Sequence, residues 1–245
     1  MNTTTPPDRI ALVFGGSRGI GAGIARRLAQ EGANVALTYA SAAAKANEVA
    51  AAIEAQGREA LTIHADSANA ADLQSAVRQT VQRFGRIDIV VVNAGILHIA
   101  DVAEFSIENL DRMLDVNVRG VYLAIQAALP HMEAGGRIVT IGSNVAERTS
   151  HPGSSVYSMT KGAVAVMVKG LAVDLAPRGI IINNIQPGPI ATDLTAAMIE
   201  MITPLVPLKR VGQPAEIGGL VAYLTGPDSG YMTGASLTID GGMSL

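Results

Sequence analysis

Tyr157 and Lys161 stand four positions apart, at the start of a run that reads as a helix up to about Ala176, before Pro177. At that spacing they share one helix face, one turn from each other. Ser143, upstream, closes an apolar strand that begins at Arg137. A phenol beside an ammonium, with a strand-end hydroxyl able to fold back onto both, makes a proton-transfer group. A free phenol gives up its proton only near pH 10, so it needs help to act at neutral pH. Chance alone supplies roughly 0.08 Tyr-x-x-x-Lys matches in a chain of this composition. The pair therefore gains weight only if the surrounding chain builds a site around it.

Runs of β-branched and aliphatic residues at 10–14, 34–39, 60–64, 87–93, 136–142, 180–186 and 236–239 predict seven strands. They are nearly continuous in hydrophobicity rather than alternating, as a sheet buried on both faces requires. Alanine-rich helical patterns fall between them, at about 19–31, 43–56, 69–84, 107–131, 157–176 and 214–225. The expectation is an α/β fold: a Rossmann-like doubly wound parallel sheet of about seven strands with helices on both faces. No linker or internal repeat divides the chain, so residues 1–245 read as a single domain, with 1–8 a loose N-terminal tail. Residues 188–213 show no clear element, and a stretch that long inside a compact domain is usually functional.

The first strand runs into Gly15-Gly16-Ser17-Arg18-Gly19-Ile20-Gly21 and then a helix. Gly15 permits a tight turn, Gly19 lets a phosphate approach the backbone, and Gly21 allows close helix–strand packing. The helix N-terminus offers free N–H groups to a pyrophosphate. At the end of the second strand, where a carboxylate would bind a ribose 2′-hydroxyl, the chain has Tyr39-Ala40-Ser41. Arg18 and Ser41 could instead meet a 2′-phosphate, which favours NADP(H) over NAD(H).

Composition excludes several alternatives. The chain has 49% hydrophobic and 16% charged residues and a net charge of −3. No basic cluster exceeds the Arg26-Arg27 pair, so a nucleic-acid footprint is missing. No apolar run approaches the length of a membrane span. There is no cysteine, hence no disulfide or thiolate chemistry. The four histidines are scattered without metal-ligand spacing, and no metal is expected. The first residues carry neither a basic flank nor an apolar core of a signal peptide, and a cytoplasmic location is expected.

With the glycine turn, Asn93-Ala94-Gly95, Ser143, Tyr157-x-x-x-Lys161 and Pro187-Gly188 all in order, the chain resembles the short-chain dehydrogenase/reductase family from Ile10 to Ile239-Asp240-Gly241-Gly242. The resemblance implies a carbonyl reductase or alcohol dehydrogenase. Tyr157 would be the general acid, Lys161 would favour the phenolate and hold the nicotinamide ribose, and Ser143 would orient the carbonyl. Asn117 would position a water on the lysine. Asp66, followed by Ser67, would bind adenine, with Asn93, Ala94 and Gly95 lining the adenosine side. Pro187, Gly188, Ile190 and Thr192 would touch the nicotinamide carboxamide. The family also implies subunit pairing through the catalytic helix, usually into a homotetramer.

Two departures stand together: Phe14 where the family usually has threonine, and Val92 where it usually has asparagine. A compensated swap to apolar packing would account for both. The Ser143–Tyr157 interval is one residue longer than usual, which leaves Ser155 as the rival for the substrate-facing serine; Ser143 is preferred because it follows the strand directly. His98, Asn144 and His151 are candidate substrate contacts. Met198, Ile199, Met201, Ile202 and Leu205 could form an apolar lid or a plain amphipathic helix. The resemblance extends to 3-oxoacyl-carrier-protein reductases, yet Ala134 and Val173 stand where those enzymes tend to place basic residues. A small free ketone or alcohol is therefore the expected substrate. The rival class is a nucleotide-binding regulator without turnover, which would not need Ser143, Tyr157, Lys161 and Asn117 together.

Overall fold

A computed structural model describes residues 8–149 and 151–245; the N-terminal tail expected over 1–8 lies, apart from Asp8, outside the described residues. Seven parallel strands form one sheet in the order β3-β2-β1-β4-β5-β6-β7. They are β1 Ile10–Phe14, β2 Asn34–Tyr39, β3 Ala60–His64, β4 Ile89–Val92, β5 Arg137–Ile141, β6 Ile181–Pro187 and β7 Ser236–Ile239. The doubly wound reading holds, and each predicted strand is present with ends moved by at most two residues. β4 is the shortest against expectation because the Ile87 N–H bonds to the His131 carbonyl instead of joining the sheet.

Helices cover both faces. On one side α1 (Gly19–Gln30), α2 (Ala43–Glu54) and α8 (Pro214–Thr225) pack on Val13, Leu37, Val91, Val139 and Ile185. On the other, α3 (Ala70–Phe84), α5 (Gly120–Ala128) and α6 (Ser155–Leu175) cover Leu12, Phe14, Val90, Val92 and Ile182. Local chemistry sets several helix ends. Asn69 accepts the Ala71 and Asp72 N–H groups at the start of α3, and Gly85 ends it at φ +87. Gln213 and Glu216 form a capping box around Pro214 at the start of α8.

The sequence predicts one unbroken helix over 107–131. The chain instead forms α4 (Ile107–Leu114), a π-helical turn over Asp115–Arg119, α5, and a 3₁₀ turn over Leu129–His131. The Gly120 N–H donates to the Asp115 carbonyl five residues back. A Cβ on Gly120 would lie 2.2 Å from the Ser67 carbonyl oxygen, so only glycine lets this turn approach the loop after β3. Side-chain periodicity does not register a single inserted residue, and π turns of this kind recur at functional sites. The 188–213 stretch is not structureless either. It holds a 3₁₀ turn at Ala196–Met198, the one-turn α7 (Ile199–Ile202) and a 3₁₀ turn at Thr203–Leu205, all too short to show a period.

Phe14 and Val92 are register partners across β1 and β4, and both lie in the same buried cluster. The two family departures thus form one apolar contact, as a compensated swap requires. Burying a phenylalanine is worth about 2–3 kcal/mol. Phe14→Thr is expected to cost about 3 kcal/mol through the cavity and the stranded hydroxyl. Adding Val92→Asn should return part of that loss, read from the urea midpoints of the two variants. Full additivity of the two substitutions, or tighter cofactor binding by Phe14→Thr alone, would refute the compensation.

Candidate active site

The strand order reverses between β1 and β4, and the crevice beyond their carboxyl ends is where an open α/β sheet accepts a ligand. There Gly15 takes φ +74, and a Cβ on it would lie 2.9 Å from the Ala94 Cα. Asn93 Nδ2 donates to the Gly15 carbonyl at 2.8 Å, so the asparagine braces the glycine turn. A Cβ on Gly21 would sit 2.0 Å from that same carbonyl oxygen, which leaves room only for glycine. Gly19 takes φ +53 and faces the Thr192 side chain rather than open space. The turn therefore contacts the segment after β6 directly. At the start of α1, Arg18 makes no side-chain cap and the first turn is free of acidic residues, leaving its N–H groups to an anion. Thr38 was not singled out in the sequence. Its Oγ1 accepts the Gly15 N–H at 2.9 Å, and a threonine just before a strand end is a weak signal that only the register makes readable.

Beside this turn lies a groove of about 790 Å³ whose walls include Ser17, Arg18, Gly19, Lys45, Thr192 and Asp193. Tyr39 at the end of β2 sets its ring edge-on to His64 at 5.6 Å, and Ala40 and Ser41 are exposed beyond it. Lys45, also missed in the sequence, stands on the first turn of α2, with Nζ 2.6 Å from Asp193 Oδ2. On the far side of the crevice, the Asp66 carboxylate is met by Arg112 at 3.0 Å and by the Ala68 N–H. Partial burial pushes this carboxyl up, but those two donors outweigh it and hold it below the usual carboxylate range. Arg112 on α4 thus fixes the residue expected at the adenine, and the sequence gives no cue to that partner. The Ser67 carbonyl packs against Gly120.

The proton-transfer group forms where β5 meets α6. Ser143 is buried just past the end of β5, and its hydroxyl lies near enough to Tyr157 in the first turns of α6 to favour the phenolate. Ser155 is exposed at the start of that helix, whereas Ser143 is buried. Lys161 is buried, with Nζ donating to the Ile141 carbonyl at 3.0 Å and lying 5.7 Å from the Tyr157 ring centre. Burial lowers its pKa from 10.5 to about 8. Burial also raises the Tyr157 phenol above its ordinary value, while the Ser143 hydrogen bond works in the opposite direction. Burial is the larger of the two effects, so the net shift is upward, toward the protonated phenol.

Asn117 sits in the π turn, buried. Its Oδ1 accepts the Ile96 N–H at 2.9 Å, and its Nδ2 donates to the Ile96 carbonyl at 2.9 Å and to Thr160 Oγ1 at 3.2 Å. The amide is committed to backbone and helix, so Asn117 pins the segment after Gly95 to α6. A Cβ on Gly95 would come within 3.4 Å of Lys161 Nζ and 3.5 Å of Asn117 Oδ1. Pro187 pairs with Ile239, Ile190 is buried, and Thr192 closes on Gly19, so the segment after β6 flanks the same crevice.

The three candidate substrate contacts fare differently. Asn144 is buried and turned from the cleft, with Nδ2 donating to Asp240 Oδ2 at 3.3 Å and Ser244 Oγ at 3.4 Å. His98 is exposed at the rim, edge-on to Phe105 at 5.3 Å and 3.1 Å from Asn109 Nδ2. His151 is exposed, and its carbonyl accepts the Ser154 hydroxyl. In the lid segment, Ile202 is buried whereas Met201 and Leu205 are more than half exposed.

The residues present fit a dinucleotide. A buried ammonium with three donors meets one carbonyl among the described residues, which leaves donors for ribose hydroxyls, and the uncapped helix and side-chain-free glycine turn suit a pyrophosphate.

A family model described as enoyl-(acyl carrier protein) reductase matches residues 15–244. The cyclic-di-GMP-binding biofilm dispersal mediator protein of Escherichia coli is 42% identical over 236 residues, covering 95% of this chain and 96% of that protein. A short-chain dehydrogenase/reductase from Serratia marcescens superposes with a TM-score of 0.94 at 51% identity, covering 97% of this chain and 98% of the other. A short-chain dehydrogenase from Burkholderia cenocepacia, solved in complex with NADP, superposes with a TM-score of 0.94 at 42% identity over 97% and 98% of the two chains. The chain belongs to the short-chain dehydrogenase/reductase family. It is an oxidoreductase by that membership, with its tyrosine, lysine and serine in one cleft.

The folded lysine holds its proton less tightly than the free side chain, so between about pH 8 and 10.5 the unfolded chain binds more protons. Stability from this group therefore rises with pH across that window, as the cost of the buried charge fades. Lys161→Met removes the cost and is expected to stabilise the ligand-free protein at pH 7 by up to about 3 kcal/mol. The gain should shrink to nothing by pH 10.5, followed by denaturant unfolding at a series of pH values. A stability difference that does not change with pH would show that the lysine is not buried as a charge.

Proposed function

We propose that this protein interconverts a small ketone and a secondary alcohol with NADP(H) as cofactor. The observation that carries the reading is the buried Lys161 ammonium 5.7 Å from the Tyr157 ring, with the buried Ser143 hydroxyl beside the same phenol. Bound NADPH supplies the hydride to the carbonyl carbon. Ser143 Oγ donates to the carbonyl oxygen and orients it. Tyr157 Oη gives that oxygen its proton as negative charge builds on it, and takes a proton back when an alcohol is oxidised. A phenol held protonated at neutral pH is in the form that reduction consumes. Lys161 Nζ, fixed by the Ile141 carbonyl, would hold the ribose hydroxyls and supplies positive charge beside the phenol. Asn117 keeps α6 and the 93–96 segment in register, so that tyrosine, lysine and cofactor cradle stay aligned.

Preference for NADP(H) is supported by the absence of a carboxylate at the end of β2 and by Arg18 and Lys45 along the same groove. The Burkholderia neighbour solved with NADP points the same way. A free carbonyl compound suits the site better than a carrier-bound one, because Ala134 and Val173 are both exposed and leave no cation at either place. The α6 segment Ser155–Arg178 is long and apolar enough by composition to cross a bilayer, yet it carries the buried Lys161 and packs on β6. Its outward residues Met159, Val166 and Val173 are exposed in the single chain. Pairing of subunits across this helix into a homotetramer in the cytoplasm accounts for them. The second reading, a nucleotide-binding regulator, is favoured by the Escherichia coli relative.

A panel of ketones assayed by NADPH oxidation separates the two readings. Turnover of at least one ketone is expected, with Tyr157→Phe lowering kcat by about 10²–10⁴-fold. Arg18→Ala should raise the NADPH dissociation constant by about 10–100-fold and leave NADH nearly unchanged. Tight NADPH binding with no turnover across the panel would replace the enzyme by the regulator.

A further inference from the structure

Asn144, which follows the substrate-orienting serine, spends its amide on the C-terminal turn. That turn is built around one side chain. Asp240 Oδ1 accepts the Gly242 N–H at 2.9 Å, and Asp240 Oδ2 accepts the Ser244 N–H at 2.8 Å and Asn144 Nδ2 at 3.3 Å. The two glycines that follow Asp240 adopt φ +67 and +87, which lets the chain curl back over the carboxylate. On its other side Asp240 packs against Gly188, where a Cβ would come within 2.5 Å of the Asp240 Cβ. The Gly241 carbonyl accepts the Leu208 N–H at 3.2 Å, just past the lid segment. Three parts of the cleft meet here: the turn bearing Ser143, the segment after β6 that flanks the nicotinamide position, and the foot of the lid.

The upstream structure aims Asp240 at this junction. Thr140 Oγ1 donates to Asn184 Oδ1 at 2.9 Å, and Asn184 Nδ2 donates to Ser236 Oγ at 3.1 Å, a polar rung crossing β5, β6 and β7. Gln186 and Thr238 form a second rung at 3.1 Å. These rungs fix the register of β7, and Asp240 is the residue that leaves it. Ser143 in turn starts the 3₁₀ turn Asn144–Ala146, with its own Oγ accepting the Val145 N–H and its carbonyl accepting the Ala146 N–H. Where Asn144 is held decides where the Ser143 hydroxyl points. Arg148, at the end of the turn, reaches the Leu245 carbonyl and straps the same piece a second time.

We propose that Asp240 is a positioning residue, whose carboxylate holds the Asn144 turn and so sets the Ser143 hydroxyl against the substrate carbonyl and Tyr157. This rests on the oxidoreductase reading for its kinetic consequence but not for its structural one. Asp240 touches neither substrate nor cofactor; it acts through Asn144. A carboxylate is needed because one oxygen must serve Gly242 while the other takes both Ser244 and Asn144. An asparagine offers one acceptor oxygen and turns an amine toward the remaining donors.

The experiment compares wild type with Asp240→Asn, Asn144→Asp and the exchanged double variant, each as the full chain. Amide hydrogen exchange without cofactor should quicken about tenfold or more over residues 145–148 in Asp240→Asn and hardly change in α1 and β2. With a ketone found by the panel, kcat should fall about 10–100-fold while the NADPH dissociation constant stays within about twofold. The exchanged variant restores one amide–carboxylate bond between positions 144 and 240 and should recover part of both losses. Unchanged exchange over 145–148 overturns the proposal, as does faster exchange there with an unaltered kcat. A parallel loss of kcat, NADPH affinity and melting temperature would mark a general fold defect and overturn it as well. Should the wild type turn over no ketone, the oxidoreductase reading fails by itself, and the exchange measurement decides whether Asp240 holds the turn. If Asp240→Asn does not fold, Ser244→Ala, which removes one hydroxyl from the junction, takes its place in the same comparison.

Discussion

An ammonium buried at the end of a parallel sheet is the most expensive group in this fold, and the surrounding elements are arranged to keep it there. A charge taken out of water costs several kcal/mol unless dipoles replace the solvent. Lys161 shows that cost in a pKa drawn from 10.5 to about 8. Its one carbonyl partner, Ile141, is the last residue of β5. Across the crevice lies Gly95, where an added Cβ would stand 3.4 Å from Nζ. The lysine therefore stays put only while the end of β5, the segment after β4 and the body of α6 keep their mutual distances.

Those distances are held by an amide rather than by apolar packing. Asn117 satisfies both backbone groups of Ile96 and reaches Thr160, one position before the lysine. A regular helix through 107–131 advances its side chains on a fixed 100° step. The π turn over Asp115–Arg119 inserts one residue into that step and lets α4 and α5 each keep their own packing. Gly120 then permits the loop after β3 to lie against the turn. The crevice, the proton-transfer group and the residue expected at adenine are in this way linked through one irregular turn.

What was legible in the sequence divides along the same lines. Strand runs, helix periods, the glycine turn and Tyr157-x-x-x-Lys161 depend on local spacing, and the parallel doubly wound class follows from continuous β-α alternation. The Phe14–Val92 contact was legible as a paired departure, since both positions were already suspect before their register was known. What stayed hidden depends on contacts between distant segments. Arg112 at Asp66, Thr38 at Gly15, Lys45 at Asp193 and Asp240 at Asn144 each join residues 23 to 148 positions apart. No local period marks them. Asn144 was misplaced for a related reason: adjacency to Ser143 suggested the substrate, whereas the turn after a strand end swings the next side chain to the opposite side.

The energetic asymmetry between the two halves of the site bears on what the protein is for. The glycine turn, the uncapped α1 and the Arg18 groove bind a nucleotide with little strain, since glycines and exposed cations cost little to keep. The other half is costly: a buried lysine, a buried asparagine inside a π turn, and a half-buried phenol beside a buried serine hydroxyl. A chain that only sensed a nucleotide could use Lys161 for the ribose, but it would have no use for a buried Ser143 hydroxyl beside the Tyr157 phenol. Destabilising groups that persist together in one cleft mark places where activity, not stability, sets the residue. The combination of Ser143, Tyr157 and Lys161, rather than the lysine alone, is the physical reason to regard the cleft as a reaction site.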